Sequence, residues 1–592
     1  MAVDIKANLK LAKEYFTQRR YDQALPLLQT AADAGDREAM RYLGLMYGGG
    51  LGVAKDDTQS ASWYRKGADH GDAASMNGLG VLYASGAGVP KDDAQALIWY
   101  RKAADAGDPG GMRNLAILYE KGQGVTKDDA GAAKWYRKAA DAGDVAAMEA
   151  LGAMFETGRG VSKDAGRAAD WFRKAANAGD AAAMRDLADM YSTATGAPSN
   201  NAPASGLKVE FRVGIFGHTV VDKTSGVPKD DVQAAVWYRK AADAGDPVSM
   251  RNLGALCEEG LGVSKDYAQA AEWFRKAADA GDAVSMRALG ALYGEGLGLP
   301  KDSDQAAAWT RKAADAGDGV AMRNLGILYR SGLGVPQDFA QSAEWDRKAA
   351  DAGDVGGMNN LGIMYMNGLG IPKDETQALN WFRKAADTGD AGGMNNLGVM
   401  YMRGLGVPAD NAQALNWYRK AADAGDAGSM NNLGDMYWAG DGVSKDNTEA
   451  LTWYRKAAAT GDALGLRNVA EMYDEGLGVP KDEAQAAGWY IKAAGAGDAR
   501  SMRVLGNMYS DGLGVPKDDA QAVGWYIKAA NAGDAGGMNN LGVMYMNGLG
   551  VPKDNAQALS WYRKAADGGD ADAMNNLGGV YRAGNGVPKD YT

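Results

Sequence analysis

The chain has 592 residues and a formal net charge of −11, from 64 basic and 75 acidic residues, which argues against an electrostatic footprint for nucleic acid or anionic lipid. One cysteine, Cys257, excludes an intrachain disulfide. The 83 glycines recur at fixed intervals, so they mark a repeat and not a low-complexity linker.

The first residues, MAVDIKANLKLAKEYF, carry charges throughout and lack the apolar stretch of a signal peptide. No run approaches the roughly 18 apolar residues of a membrane span. The expectation is a soluble, cytoplasmic chain without membrane insertion. Residues 7–35 read as a helix hairpin with no glycine turn. From there tryptophans set a ruler: Trp63, Trp99, Trp135 and Trp171 are 36 residues apart, and Trp237 to Trp561 continue at 36. The step from Trp171 to Trp237 is 66, one repeat plus 30 residues. A fixed period of this size marks a solenoid, because such a unit buries its apolar face only by stacking on neighbours.

One unit, residues 389–425, shows the logic. Asp390 is placed to cap a first helix, and Met394, Leu397, Met400 and Tyr401 share one face of it. Gly404, Gly406 and Pro408 break that helix. Asp410 caps a second, with Gln413 spaced to bond back and complete a capping box. Ala412, Leu415, Trp417, Tyr418 and Ala421 supply its buried positions, and Gly425 ends it in a left-handed turn. Gly398 and Ala421 are small where a neighbouring helix must approach closely.

These elements, Leu397-Gly398 with Tyr401, Gly404-Leu405-Gly406-Val407, Asp410, Trp417 through Ala422 and Gly425-Asp426, strongly resemble the Sel-one-like repeat (SLR) family, longer-turn relatives of tetratricopeptide repeats. The resemblance covers nearly the whole chain. It implies an all-α, right-handed superhelical solenoid of helix–turn–helix repeats, with fourteen full repeats and a C-terminal half repeat over 36–592. Residues 1–35 then look like a tetratricopeptide-like capping hairpin. Members of the family serve in signalling, secretion-linked assembly and host interaction, and the resemblance implies a bacterial interaction scaffold or adaptor with a protein or peptide partner, no cofactor and no catalysis.

The fifth repeat carries the insertion, residues 193–225. Its first part is small and polar, as a flexible segment would be. Residues 207–221 alternate apolar and other residues at Leu207, Val209, Phe211, Val213 and Ile215, the one strand pattern in the chain. This is read either as a surface loop over the neighbouring hairpins or as a partner-binding β-hairpin presenting Phe211, Ile215 and Phe216.

Chemistry is sparse. His70 and His218 are the only histidines, and neither they nor Cys257 fall at ligand or nucleophile spacing. The GLGV turns follow helices and lack the Gly-Lys-Ser/Thr of a phosphate loop. The recurring Arg-Lys pair after Trp-Tyr is read as a solvated outer face. In tetratricopeptide-like arrays the first helices line a concave groove, so candidate partner-binding residues are the variable positions of those helices. Asn360, Asn396 and Asn432 could meet a peptide backbone. After the repeated Tyr, Glu120, Glu156 and Glu258 give way to Met366, Met402, Trp438 and Met546, an expected exposed apolar strip. Arg251, Arg287 and Arg323 suggest a basic stretch before it, so an acidic or amphipathic peptide could span both. Two alternatives stay open. One is recognition of a cell-wall glycan or peptide fragment, for which Trp438 is the only tryptophan outside the repeated position. The other is regulation of an enzyme partner.

Overall fold

The computed structural model describes residues 5–192 and 227–583, and these are built from thirty-one helices with no strand. Each helix has 13 residues except Ala181–Ser192, which has 12. A helix this short, about 20 Å long, is marginal alone in water and depends on tertiary packing. Here helices pack against their neighbours in sequence, within residues 5–315 and again within residues 319–583. The repeat of helix, turn and helix expected from the 36-residue period is therefore the architecture.

The elements start and stop for the reasons read in the sequence. Asp390 accepts from the Gly393 amide at 2.6 Å, and Asp410 from the Gln413 amide at 2.9 Å. Gly404 and Gly406 have φ of +67° and +68°, and Gly425 has +95°. The capping box differs from expectation. The Asp410 amide does not await the Gln413 side chain, because it donates across the turn to the Tyr401 carbonyl at 2.8 Å. This bond, from second-helix cap to first-helix tyrosine, closes the hairpin and recurs along the chain, as in Asp92 to Tyr83 and Asp482 to Tyr473.

Gly398 lets two helices meet. A Cβ there would lie 2.4 Å from Cε1 of Tyr418, a ring 1% exposed, so Tyr418 fills the space its partner helix leaves open. The small residues on the second helix face the next hairpin: a Cβ on Gly393 would lie 2.7 Å from the Ala385 methyl. Ala421, in the register of Ala385, is fully buried.

The described residues belong to two units, one ending at residue 316 and one starting at 317. In the first, a continuous core runs from Ala116 to Leu292 around Leu151, Phe172, Leu253 and Phe274, and a smaller one surrounds Leu28, Leu43 and Met46. In the second, Phe382 with Leu397 and Met400, and Leu433 with Met436, form successive clusters.

The insertion sits inside a hairpin that closes normally. Helices Ala181–Ser192 and Asp231–Asp243 pack as a pair, and the Asp230 amide reaches the Tyr191 carbonyl at 3.0 Å. Residues 193–226, with the candidates Phe211, Ile215 and Phe216, lie outside the described residues. Replacing residues 192–229 by the eight-residue turn of 402–409 should leave helical circular dichroism unchanged and shift the apparent Tm by less than about 2 °C, under ~1 kcal/mol. A larger fall in a thermal melt would show that the insertion holds the hairpin together.

Candidate protein-interaction face

The face presented by the first helices has a fixed grammar. After the half-buried Met comes a long polar residue, then Asn, then a fully buried Leu such as Leu253, Leu325 and Leu397. The polar residue reaches forward to the next hairpin. Arg251 meets Asp282 at 2.8 Å, Arg323 meets Asp354 at 2.9 Å and Arg467 meets Asp498 at 2.9 Å. Where it is Asn, the link persists: Asn359 donates to Asp390 at 2.5 Å and Asn431 to Asp462 at 2.7 Å. Each acceptor is the aspartate that caps the next first helix, so one carboxylate fixes a helix end and ties two repeats together.

The basic stretch anticipated at Arg251, Arg287 and Arg323 is therefore not a set of free cations. Arg251 and Arg323 are half-buried and engaged in stacking, and Arg287 is half-buried at the equivalent place. These pairs are partly shielded from water, which lifts them toward the upper end of surface ion pairs. Arg467→Met should lower stability by ~1 kcal/mol, and a double-mutant cycle with Asp498→Asn should return a coupling of ~0.5–1 kcal/mol. A coupling of zero would assign the arginine's worth to its hydrocarbon stem alone.

The Asn column forms a ladder of side chains. Asn432 donates to Asn395 at 2.9 Å, Asn114 to Asn77 at 2.8 Å and Asn576 to Asn539 at 3.0 Å, each 37 residues back. Asn360 instead donates to Asp346 at 3.1 Å, and Asn396 is half-buried in the same register. The ladder spends donors that a bound backbone would use, while leaving the residues partly accessible.

The position after the tyrosine divides into two kinds. Met366, Met402 and Met546 are half-buried and pack on the hairpin cores, and the Tyr418 hydroxyl lies 3.7 Å from the Met402 sulfur. Glu120, at the same register, accepts from the Tyr136 hydroxyl at 2.7 Å. This position thus greets the tip of the second-helix tyrosine. Trp438 breaks the rule: it is 46% exposed. The apolar strip is one exposed ring among half-sunk methionines.

The outer Arg-Lys pair is exposed but ordered. Arg419 donates to the Tyr437 hydroxyl of the next repeat at 2.6 Å, and Lys420 sits 4.1 Å over the Trp417 ring. Cys257 stands where a tyrosine usually accepts, and Arg239 there stacks 5.0 Å over Trp273 instead. The Cys257 thiol is fully buried and pushed up by that burial, opposite to what a nucleophile needs. Among the described residues no group of three or more His, Cys, Asp or Glu could hold a metal ion, and no helix is long and apolar enough to cross a membrane.

Tandem helix hairpins closed by two left-handed glycines and tied at their caps define a repeat protein of the tetratricopeptide-like solenoid class. Within that class the chain belongs to the Sel1 repeat family, whose pattern matches fifteen segments: 37–72 and its successors to 145–180, then 223–246, then 247–282 and its successors to 571–592. Among solved structures it is similar to c5321, described as a protective antigen present in uropathogenic Escherichia coli strains and displaying an SLR fold. That likeness has 29% identity over 87% of this chain and 96% of the other, with a TM-score of 0.56. It is also similar to a Sel1 repeat protein from Oxalobacter formigenes, at 33% identity over 52% of this chain and 90% of the other, with a TM-score of 0.42. No curated protein sequence matches it.

Proposed function

We propose that this chain is a non-catalytic interaction scaffold that holds a partner protein or peptide on its first-helix face. The fold is one commonly used for protein–protein interaction. The observation that carries the reading to this face is Trp438. It is a large aromatic standing half out of a surface where the equivalent Glu120, Glu156, Glu258, Met366, Met402 and Met546 are half-buried. The buried Leu and Gly positions repeat almost unchanged, while the residue after the tyrosine varies from Glu120 to Met402 to Trp438, so the packing it meets accepts more than one kind of side chain. Exposed aromatics are the residues that most often dominate an interface.

The test is affinity capture from the source cell, wild type beside a variant carrying Met366→Gln, Met402→Gln and Trp438→Ala. Glutamine keeps the length of the half-buried methionines, so helical circular dichroism should be retained. Loss of a partner at matched folding supports the reading. Equal recovery by both proteins overturns it.

A further inference from the structure

We infer that the cleft at Trp438 is a pocket for one arginine side chain of a basic peptide segment. This rests on the interaction role proposed above and adds the chemistry of the partner. The cleft lies between helices Ala427–Ala439, Asn447–Ala459 and Ala463–Glu475, where Asp435, Trp438, Tyr454, Asn468, Glu471 and Glu475 enclose about 150 Å³. That is the liquid volume of roughly five waters, and well below the roughly 300 Å³ at which small-molecule sites begin. It suits one side chain.

The walls select a cation. Asp435 is exposed and uses one oxygen to accept from the Tyr454 hydroxyl at 2.6 Å. Glu471 is shared by Arg500 at 3.2 Å and Arg467 at 3.7 Å. Glu475 is exposed and has no ion-pair partner within 4.0 Å among the described residues. The cleft thus carries three carboxylates and no basic lining residue. Arg500 and Arg467 reach Glu471 from outside the lining, and Arg467 divides its guanidinium between Glu471 and Asp498. The exposed Lys445 ammonium already stands over the Trp438 ring, 5.6 Å from its centre, so a guanidinium arriving on that face replaces a mobile surface lysine. An aromatic face attracts a cation through its quadrupole. A guanidinium does more than an ammonium here, because it stacks flat on the indole while its fork engages a carboxylate edge. An apolar occupant would strip water from Glu475 and Asp435 without pairing them, and an acidic one would meet like charge.

The test uses the full chain and a fluorescein-labelled heptapeptide with two arginines, beside its lysine, alanine and glutamate analogues, read by anisotropy at about 0.15 M salt to suppress long-range attraction. The arginine peptide should bind tightest, and Trp438→Ala should weaken it about five-fold while Trp438→Phe stays within about two-fold. Glu475→Gln should also weaken it, whereas Glu272→Gln, the same charge change at an exposed position of another repeat, should not. Circular dichroism confirms that each variant is folded. Equal loss from Glu272→Gln and Glu475→Gln would reduce the effect to net charge and overturn the pocket. So would unchanged binding by Trp438→Ala, or equal binding of the alanine or glutamate peptide. If the peptide ignores Trp438 while partner capture still depends on the first-helix face, this inference fails and the scaffold reading stands. If capture is indifferent to the face, the scaffold reading itself falls.

Discussion

Gly88→Ala should destabilise the hairpins around it far more than Gly107→Ala, although both replace a glycine held at positive φ, +69° and +88°. At Gly107 an added Cβ meets nothing within 4 Å, so the substitution carries only the conformational penalty of left-handed alanine, ~1 kcal/mol. At Gly88 the same atom would fall 2.0 Å from the Asp57 carbonyl oxygen and 2.2 Å from its carbon. That contact is with backbone at the start of helix Asp57–Asp69, in the preceding hairpin, and no rotamer change relieves it. Adding overpacking to the dihedral strain gives ~4 kcal/mol. A repeat array does not melt in one step, so the readout is hydrogen exchange, with protection lost first over residues 57–105. Equal effects of the two substitutions would mean that the repeats stack with room to spare at this turn.

That second turn glycine shows how far the sequence is legible. The period, the helix caps and the break at Gly404 and Gly406 follow from residue chemistry at fixed spacing, and each appears where the pattern places it. What the spacing could not show is which neighbour a small or polar residue serves. Gly398 makes room for Tyr418 of its own hairpin, while Gly88 and Gly406 make room for the preceding one. Arg251 read as part of a basic stretch because its partner, Asp282, lies 31 residues on, at a cap position. The constant distance between that arginine column and the next cap was the available signal. Met402 read as exposed because the tyrosine tip it meets comes from the other helix. The Trp438 cleft needed three helices in register before its carboxylates could be seen together.

The second large effect belongs to Asp346, which occupies the buried column filled elsewhere by Phe382, Tyr418 and Tyr454. Its side chain is 0% exposed. Oδ1 accepts from Asn360 at 3.1 Å, while Oδ2 has no hydrogen bond and lies 3.9 Å from Arg330, too far for one. Gly326 faces it, as Gly398 faces Tyr418. Burial pushes the carboxyl up to about 7 from its usual 3.8, with Arg330, Asn360 and Arg323 opposing and Asp354 adding to the rise. The sign follows from proton binding. Between 3.8 and about 7 the folded chain holds a proton that the unfolded chain has lost, so stability falls as pH rises through that window. Full ionisation in place corresponds to a cost of ~4 kcal/mol as an upper bound. Asp346→Asn stays neutral throughout, so its advantage over wild type should be near zero at about pH 4 and grow to several kcal/mol by about pH 8. Taking the difference between the two proteins cancels the titration of the many capping aspartates they share. Denaturant melts at a series of pH values, followed by hydrogen exchange across residues 319–367, would measure it. A difference that stays flat from pH 4 to 8 would show that Asp346 ionises as easily folded as unfolded, and that Arg330 closes the gap that the static distance leaves open.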